Sequence, residues 1–338
     1  MNKITIIIPC RNEEKFVKNC IDSVLKFEDL ERYDYEILLL DGMSEDNTRN
    51  IIEQYINKNN RIKLFDNPGI IQSTALNIGI KQAKGDWIMR LDAHADYPKN
   101  YLKKLIETSL KTNADNVGGI VNTLPFNDSY RAQLVQALTT HKFGVGNSGF
   151  RVGMKEGETD TVPYGFFKKE IFEKVGNFNE RLVRAQDYEF NCRIKKTGGK
   201  IWLNPDIIIN YYNQPDILKF LGKQFYKEAP YNAYMWYLAP YTFTIRHAIT
   251  AFFTTGIVFF GILSFFFPLI KYLFFSIIGL YFLLAIISSI QQAIRYKRAL
   301  HIFTLPFSFF LFHFIHGSGI VFGLFSLLIG VSPIQKNH

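Results

Sequence analysis

Cysteine is scarce in this chain: Cys10, Cys20 and Cys192 are the only three in 338 residues, and none stands in a CxxC spacing. An odd count without paired spacing excludes a disulfide framework and fits small thiols in a reducing compartment. An apolar leader is missing too, since a strand begins almost at once; no cleavable signal peptide is expected, and the first part of the chain should stay in the cytosol. There is no G-x-G-x-x-G fingerprint and no Walker loop, which disfavours a dinucleotide-binding dehydrogenase. Acidic residues are outnumbered, 30 against 39 basic, for a formal charge of +9. The Lys and Arg residues are scattered, with no basic, aromatic-interleaved groove, so nucleic acid is not an expected partner. A basic surface beside anionic membrane lipid fits better. No internal repeat or low-complexity linker is present.

What the sequence does contain falls into two solvents. Residues 1–245 mix charged and apolar side chains, whereas from Ala248 onward Phe, Ile and Leu dominate, and a mean hydropathy near zero averages the two. Apolar spans cover Ala248–Ile270, Tyr272–Ile290 and Ile302–Gly330. At about 1.5 Å per residue each is long enough to cross a bilayer. They lack the polar faces that a buried hairpin of a soluble domain would carry. Arg246 and His247 precede the first span and Arg295, Lys297 and Arg298 separate the second from the third, while the first hairpin loop offers only Lys271. The positive-inside rule then puts residues 1–245 in the cytoplasm and His338 on the far side. A multi-pass protein of the cell inner membrane or plasma membrane follows. Pro306, Gly317 and Gly319 mark a kink site in span three. Ile217–Glu228 reads as an amphipathic segment lying on the membrane. The expected organisation is a cytosolic domain at 1–213, an interfacial segment at 214–245 and a membrane domain at 246–332.

The cytosolic part alternates strand and helix. Ile4–Pro9 is a β-branched run suited to burial on both faces, followed by a helix over Glu13–Lys26. Tyr35–Leu40, Arg61–Phe65 and Trp87–Leu91 are further strands, separated by helices at Asp46–Ile56 and Ile71–Ala83. Single helices between strands imply right-handed crossovers, an α/β class and a mainly parallel sheet. Ligands of such sheets sit at the carboxyl ends of the strands, which makes Pro9–Glu13, Asp41–Asp46 and Asp92–Asp96 neighbours. Beyond them come a strand near Val117–Asn122, helices at Tyr130–Thr140, Lys169–Val175 and Asp187–Lys196, and strands at Lys200–Leu203 and Ile207–Tyr211. The Gly-rich stretch Gly144–Asp160 reads as a lid or as an ordinary loop.

Asp92-Ala93-His94 offers a carboxylate and an imidazole on one turn, able to face a single cation. A hard oxygen with a borderline nitrogen suits Mn²⁺ and admits Mg²⁺. Such a cation neutralises charge growing on a diphosphate leaving group. Asp41, after the second strand, can accept hydrogen bonds from a uracil imide or a ribose hydroxyl, or can cap the next helix. Pro9, Arg11 and Glu13 line the same edge. Asn67 and Gly69 open the third helix near a ribose or phosphate. Asp187 is the candidate general base for an acceptor hydroxyl, with helix capping as the alternative reading. Gln186 and Tyr164 are candidates for shaping the acceptor site. His141 is a candidate third metal ligand, unless water or the diphosphate completes the shell.

Taken in order, the motifs IIIPCRNEE, LLLDGMSEDNT, NPG…ALNIG, GDWIMRLDAH and VGNFNERLVRAQDYEFNCRIKKTGG resemble the family 2 glycosyltransferases of the GT-A fold. The resemblance runs from Ile4 to about Tyr212. It implies a nucleotide-sugar donor, a divalent metal and inversion at the anomeric carbon. It puts Pro9, Arg11, Glu13 and Asp41 in the nucleotide pocket, Asp92 at the first metal carboxylate and Asp187 at the catalytic base. Two positions depart: His94 stands where a second Asp is usual, and the Glu-Asp pair reads Gln186-Asp187. Within the family, DAH with three C-terminal spans is similar to succinoglycan-type exopolysaccharide glucosyltransferases. The expected function is transfer of a hexose, with UDP the nucleotide favoured by the resemblance and by Asp41, in cell-surface polysaccharide synthesis; the membrane location of the catalytic face makes a polyprenyl-diphosphate-linked saccharide the expected acceptor. A processive synthase would carry QxxRW, whereas Gln224-Phe225-Tyr226-Lys227-Glu228 keeps only the glutamine. The remaining alternatives are a polyprenyl-phosphate glycosyltransferase and a non-catalytic membrane scaffold.

Overall fold

A computed structural model describes residues 3–334, so His338 lies outside the described residues. Strand β1 (Lys3–Cys10) is buried along nearly its whole length, as its β-branched run requires. Helix α1 is shorter than expected, Val17–Val24. Strand β2 (Asp34–Asp41), helix α2 (Thr48–Ile56), strand β3 (Ile62–Asp66), helix α3 (Gln72–Gln82) and strand β4 (Trp87–Arg90) then follow the expected alternation. Helix α4 (Tyr101–Thr112) was not expected, although Tyr101, Leu102, Leu105, Thr108 and Ser109 form a buried helical stripe. After β5 (Asn116–Leu124) come α5 (Tyr130–Thr139), α6 (Lys142–Val145) and α7 (Gly149–Val152). The chain continues through β6 (Gly157–Glu158), β7 (Phe166–Lys168), α8 (Glu170–Val175), α9 (Gln186–Lys196) and β8 (Ile201–Tyr212). Strand β8 is one strand where two were expected, because the chain stays extended through Pro205.

The eight strands form one sheet in the order β3-β2-β1-β4-β7-β5-β8-β6. The half that carries the motifs, β3-β2-β1-β4, is parallel. Beyond it β7 pairs antiparallel with both β4 and β5, and β6 pairs antiparallel with β8. In the parallel half Cys10 lies abreast of Asp41, and Asp41 abreast of Asp66, so three strands end together. Arg90 sits three residues earlier, level with Ile7. The turns after these strands therefore share one edge of the sheet.

The chain divides into two compact units, Met1–Asn122 with Gly153–Tyr211, and Thr123–Val152 with Tyr212–His338. This division is not the single cut at 213: residues 123–152 group with the membrane helices. The physical reason is apolar burial within the second unit. Leu134, Val135 and Leu138 of α5 pack with Phe220, Ala285, Leu305, Phe309 and Phe312. Phe143 lies against Tyr281 and Phe309, with ring centroids 5.2 Å apart in each case. His313 Nε2 lies 3.1 Å from the Gly144 carbonyl. The first part of the expected lid is therefore fastened inside this unit.

In the second unit α10 (Ile217–Lys223), a π-helical turn (Gln224–Glu228) and α11 (Ala229–Leu238) precede α12 (Ile245–Leu263), α13 (Pro268–Tyr296) and α14 (His301–Leu328). The last three are long and apolar enough to cross a membrane. Helix α14 continues through Pro306. Polar side chains inside the spans are paired with one another: Thr250 with His316 at 2.9 Å and Tyr281 with His313 at 2.8 Å. Such pairing is what a medium without water demands. Gly317 permits α14 to approach α12, since a Cβ there would lie 2.0 Å from the Thr250 carbonyl oxygen.

Gly119 of β5 has the same function in the sheet, where a Cβ would lie 1.9 Å from the Ile207 carbonyl oxygen of β8. Gly119→Ala should destabilise the first unit by about 1–3 kcal/mol. Gly157→Ala, whose Cβ would meet only the Lys155 carbonyl at 3.9 Å, should leave stability unchanged. Thermal unfolding of the purified full chain in detergent measures both.

Candidate active site

The turns at the parallel edge bind one another before they bind anything else. The Asn12 N–H donates to Ser44 Oγ at 2.9 Å, and Asn12 Oδ1 accepts from the Glu45 N–H at 2.9 Å. Glu13 N–H donates to Thr48 Oγ1 at 2.7 Å. Asp46 accepts from the backbone of Glu14 and Thr48, which is the structural role a carboxylate has at a helix start. Asp41 is buried, its side chain 1% exposed. It accepts from Ser44 N–H at 3.3 Å and from Arg49 Nη1 at 3.0 Å, and the same Arg49 nitrogen holds Asp66 at 2.7 Å. Asn67 is buried as well. Its N–H donates to the Asp41 carbonyl at 2.8 Å, and its side-chain amide bonds Ile71 and Thr74. Asp41 and Asn67 thus build the wall of the β2–β3 edge, while Arg11 and Gly69 are exposed along it and Pro9 and Glu13 are half-buried.

A second cluster lies on the other side of β1, where Arg90 ends β4 with only 5% exposure. A cation so buried requires anions. Arg90 Nη2 lies 3.2 Å from Asp92 Oδ1, and Nη1 pairs with Asp187 Oδ1. Burial acts to lower the pKa of the guanidinium, and the carboxylates of Asp187 and Asp92 outweigh it, so the pKa is raised above the ordinary arginine value. Tyr164 lies beneath the guanidinium, 5.7 Å from ring centroid to Cζ, and meets Tyr97 edge-on at 6.3 Å. The Asp92 N–H donates to Tyr97 Oη at 2.8 Å, which fixes the DAH turn. His94 Nδ1 lies 3.1 Å from Glu13 Oε1, joining the first and fourth turns. Cys20, whose Sγ–H donates to the Asp92 carbonyl at 3.7 Å, has its pKa raised by burial first and by Asp92 next, so it stays a thiol.

Helix α9 brings Asp187 to this cluster. Its cap residue is Ala185, without a side-chain cap, so capping does not account for Asp187. The helix is seated by Phe190, whose ring is 5.0 Å from Phe172 and 4.5 Å from Phe178. Asn77 of α3 both donates to and accepts from the Phe178 backbone at 2.9 Å, tying α3 to the approach of α9. Asp187 remains 36% exposed at its side chain. Gln186 is buried at 5% and donates from Nε2 to Gln72 Oε1 at 2.7 Å. Gln72 Nε2 in turn donates to Asp92 Oδ1 at 2.9 Å.

Of the residues singled out from the sequence, the structure brings together Asp92 with Asp187 through Arg90, and His94 with Glu13. Gln186 and Tyr164, singled out for the acceptor site, have buried side chains, against Gln72 and Arg90 respectively. His141 belongs to the second unit, where Nδ1 accepts from Phe143 N–H at 3.0 Å and Nε2 lies 2.9 Å from Gln291 Oε1. With both nitrogens engaged it is not offered as a metal ligand. Among the described residues no group of three or more His, Cys, Asp and Glu is arranged to hold a metal ion. Asp92 and His94 are two donors, few enough that a cation held there would share its shell with phosphate. Arg90 and Gln72 were missed; a lone charge inside the apolar strand W-I-M-R was the available signal for the first.

Backbone strain marks the same places. Asn12, Met43, Ile70, Tyr164 and Ala185 have φ of 54°, 59°, 65°, 62° and 63°. The first three and Ala185 lie within the motifs and Tyr164 lies against Arg90; non-glycine residues held in this region cost about 1–2 kcal/mol apiece. Arg90→Gln should lower stability by on the order of 2 kcal/mol, since it strands two carboxylates of which one is a third exposed. Adding Asp187→Asn should recover part of that loss, as read by thermal unfolding of the single and double variants.

The sequence profile of Glycosyl transferase family 2 matches residues 5–176, from β1 to the end of α8. The chain is 31% identical over 341 residues to the dolichyl N-acetyl-alpha-D-glucosaminyl phosphate 3-beta-D-2,3-diacetamido-2,3-dideoxy-beta-D-glucuronosyltransferase of Methanococcus voltae, covering 96% of this chain and 98% of that protein. It is 29% identical over 222 residues to the succinoglycan biosynthesis protein ExoA of Rhizobium meliloti (strain 1021), covering 65% and 66% of the two chains. The structure of a mannosyltransferase from Pyrobaculum calidifontis, in complex with GDP-Man and Mn²⁺, superposes with a TM-score of 0.59 at 14% identity, over 97% of this chain and 87% of that one. That likeness is one of fold. The strand-end motifs, the GT-A sheet that carries them and a relative matched along its whole length agree: this chain belongs to glycosyl transferase family 2.

Proposed function

We propose that the protein is a membrane-anchored, inverting glycosyltransferase that moves a hexose from a nucleotide sugar, UDP-linked by preference, to a saccharide carried on a lipid phosphate in cell-surface polysaccharide synthesis. The observation that carries this reading is the pairing of Asp92 and Asp187 on either side of Arg90, at the ligand-binding edge of the sheet. Pro9, Arg11, Glu13 and Gly69 contact the nucleotide, and Asp41 and Asn67 hold the wall it rests on. Asp92 and His94 would hold Mn²⁺ or Mg²⁺. A bound divalent cation supplies neutralisation of the charge that develops on the diphosphate leaving group. Asp187 takes the proton of the acceptor hydroxyl as that oxygen attacks the anomeric carbon, and Arg90 orients the carboxylate for it.

The acceptor follows from the company the chain keeps and from its spans. The Methanococcus relative is named for transfer to a dolichyl phosphate sugar, which supports a saccharide on lipid phosphate here. Basic residues lie in the first turn of α12, at Arg246, and from the last turn of α13 into the connection to α14, at Arg295, Lys297 and Arg298, and these ends are assigned to the cytoplasm. The catalytic part, 1–213, is then cytoplasmic, the interfacial part is 214–245 and the membrane part 246–332. Exposed Leu218, Tyr226 and Tyr237, set among Lys219, Lys223 and Lys227, support contact of the middle part with lipid headgroups.

Detergent-purified protein tested with UDP- and GDP-sugars, Mn²⁺ and polyprenyl-phosphate-linked N-acetylglucosamine should turn over one donor. Asp92→Ala and Asp187→Asn should each lower that turnover by about 10²–10⁴-fold. Activity retained in Asp187→Asn would overturn the base and favour a lipid phosphate as direct acceptor. Absence of nucleotide binding with any metal would favour a scaffold.

A further inference from the structure

Asp92 and Asp187 are joined twice. One bridge is Arg90; the other runs through two amides, Gln186 Nε2 to Gln72 Oε1 at 2.7 Å and Gln72 Nε2 to Asp92 Oδ1 at 2.9 Å. Since Gln186 and Asp187 are adjacent at the start of α9, the two bridges close a ring of side chains around the cluster. We propose that Gln72 and Gln186 are positioning residues, forming a relay that keeps the base-bearing end of α9 in register with the donor-side carboxylate. The inference rests on the roles proposed above for Asp92 and Asp187.

The polarity of the relay is dictated by chemistry. An ionised Asp92 only accepts, so Gln72 must present its NH₂ to it and its carbonyl to position 186. Position 186 must therefore donate, which Gln does and an ionised Glu cannot. A glutamate at 186 would turn the Gln72 amide around and set its carbonyl against Asp92, or would leave a buried carboxylate facing a carbonyl oxygen. Gln at 186, the departure from the family's Glu-Asp pair, is thereby tied to Gln72. Aligned donors ending on a carboxylate also reinforce one another in a low-dielectric setting. Further bonds hold the rest of α3 to the same loop: Ser73 Oγ donates to the Leu182 carbonyl at 3.2 Å, and Asn77 Nδ2 donates to Glu180 Oε1 at 2.7 Å. The relay is thus the end of a zipped contact between α3 and the approach to α9, placed where a shift would move Asp187.

The test uses the full chain in detergent. A misplacement of about 1 Å at a reacting group is worth about 10²-fold in rate. Gln186→Glu should lower kcat by about 10–100-fold with the donor that wild type turns over, while calorimetric affinity for UDP with Mn²⁺ should change by less than about threefold. Gln72→Lys in the Gln186→Glu background puts a donor-only group between two acceptors and should restore kcat at least about tenfold. Independently of activity, Gln72→Ala and Gln186→Ala should each lower the unfolding temperature, and the double variant should fall no further than the worse single variant. Additive falls would overturn the relay, as would a Gln186→Glu enzyme with wild-type kcat. A wild type that binds no nucleotide would instead overturn the proposed function, with the unfolding cycle still deciding whether the relay exists.

Discussion

A guanidinium buried at the end of a parallel strand has to be met by negative charge, and Arg90 is met by Asp92 from its own turn and Asp187 from a distant helix. Every other feature of the site can be ordered around that demand. Tyr164 lies against the face of the guanidinium, Tyr97 fixes the turn that carries Asp92, and the phenylalanine cluster seats α9 so that Asp187 arrives at the right end. Gln72 donates to the same Asp92 oxygen that Arg90 meets, and Gln186 donates to Gln72. One buried cation thus joins the strand that ends before Asp92 to the helix that carries Asp187.

The strain around the cluster is consistent with that arrangement. Four non-glycine residues held at positive φ lie within the motifs, at Asn12, Met43, Ile70 and Ala185, and a fifth, Tyr164, lies against Arg90. Backbone in this conformation persists where surrounding bonds over-determine it. Here the bonds are the mutual contacts of the strand-end turns, such as Asn12 with Ser44 and Glu45. The β2–β3 edge is therefore preorganised, with Asp41 and Asn67 built into it.

The sequence made β1 to β4 and the helices between them legible because their periods change cleanly from strand to helix and because turn residues follow each strand. Asp92, His94 and Asp187 stood out from their motifs as candidates, and the structure brings Asp92 and Asp187 to one arginine. The links between them were not legible. Gln72 and Gln186 are 114 residues apart, and nothing local to either predicts a bond. Arg90 could have been read as a charge requiring partners, though not which ones. Strands β6 and β7, of two and three residues, are too short to show a period. Helix α4 had a visible apolar stripe and was overlooked. The grouping of residues 123–152 with the membrane helices has no local sign, since the apolar face of α5 would suit any core.

In the proposed mechanism Asp187 takes the acceptor proton and displacement at the anomeric carbon is direct. The most direct test is the anomeric configuration of the first product, read by NMR of the newly formed linkage against that of the donor. The account predicts inversion. A retained configuration would contradict it, because it would require a covalent or front-face route in which Asp187 is not the base.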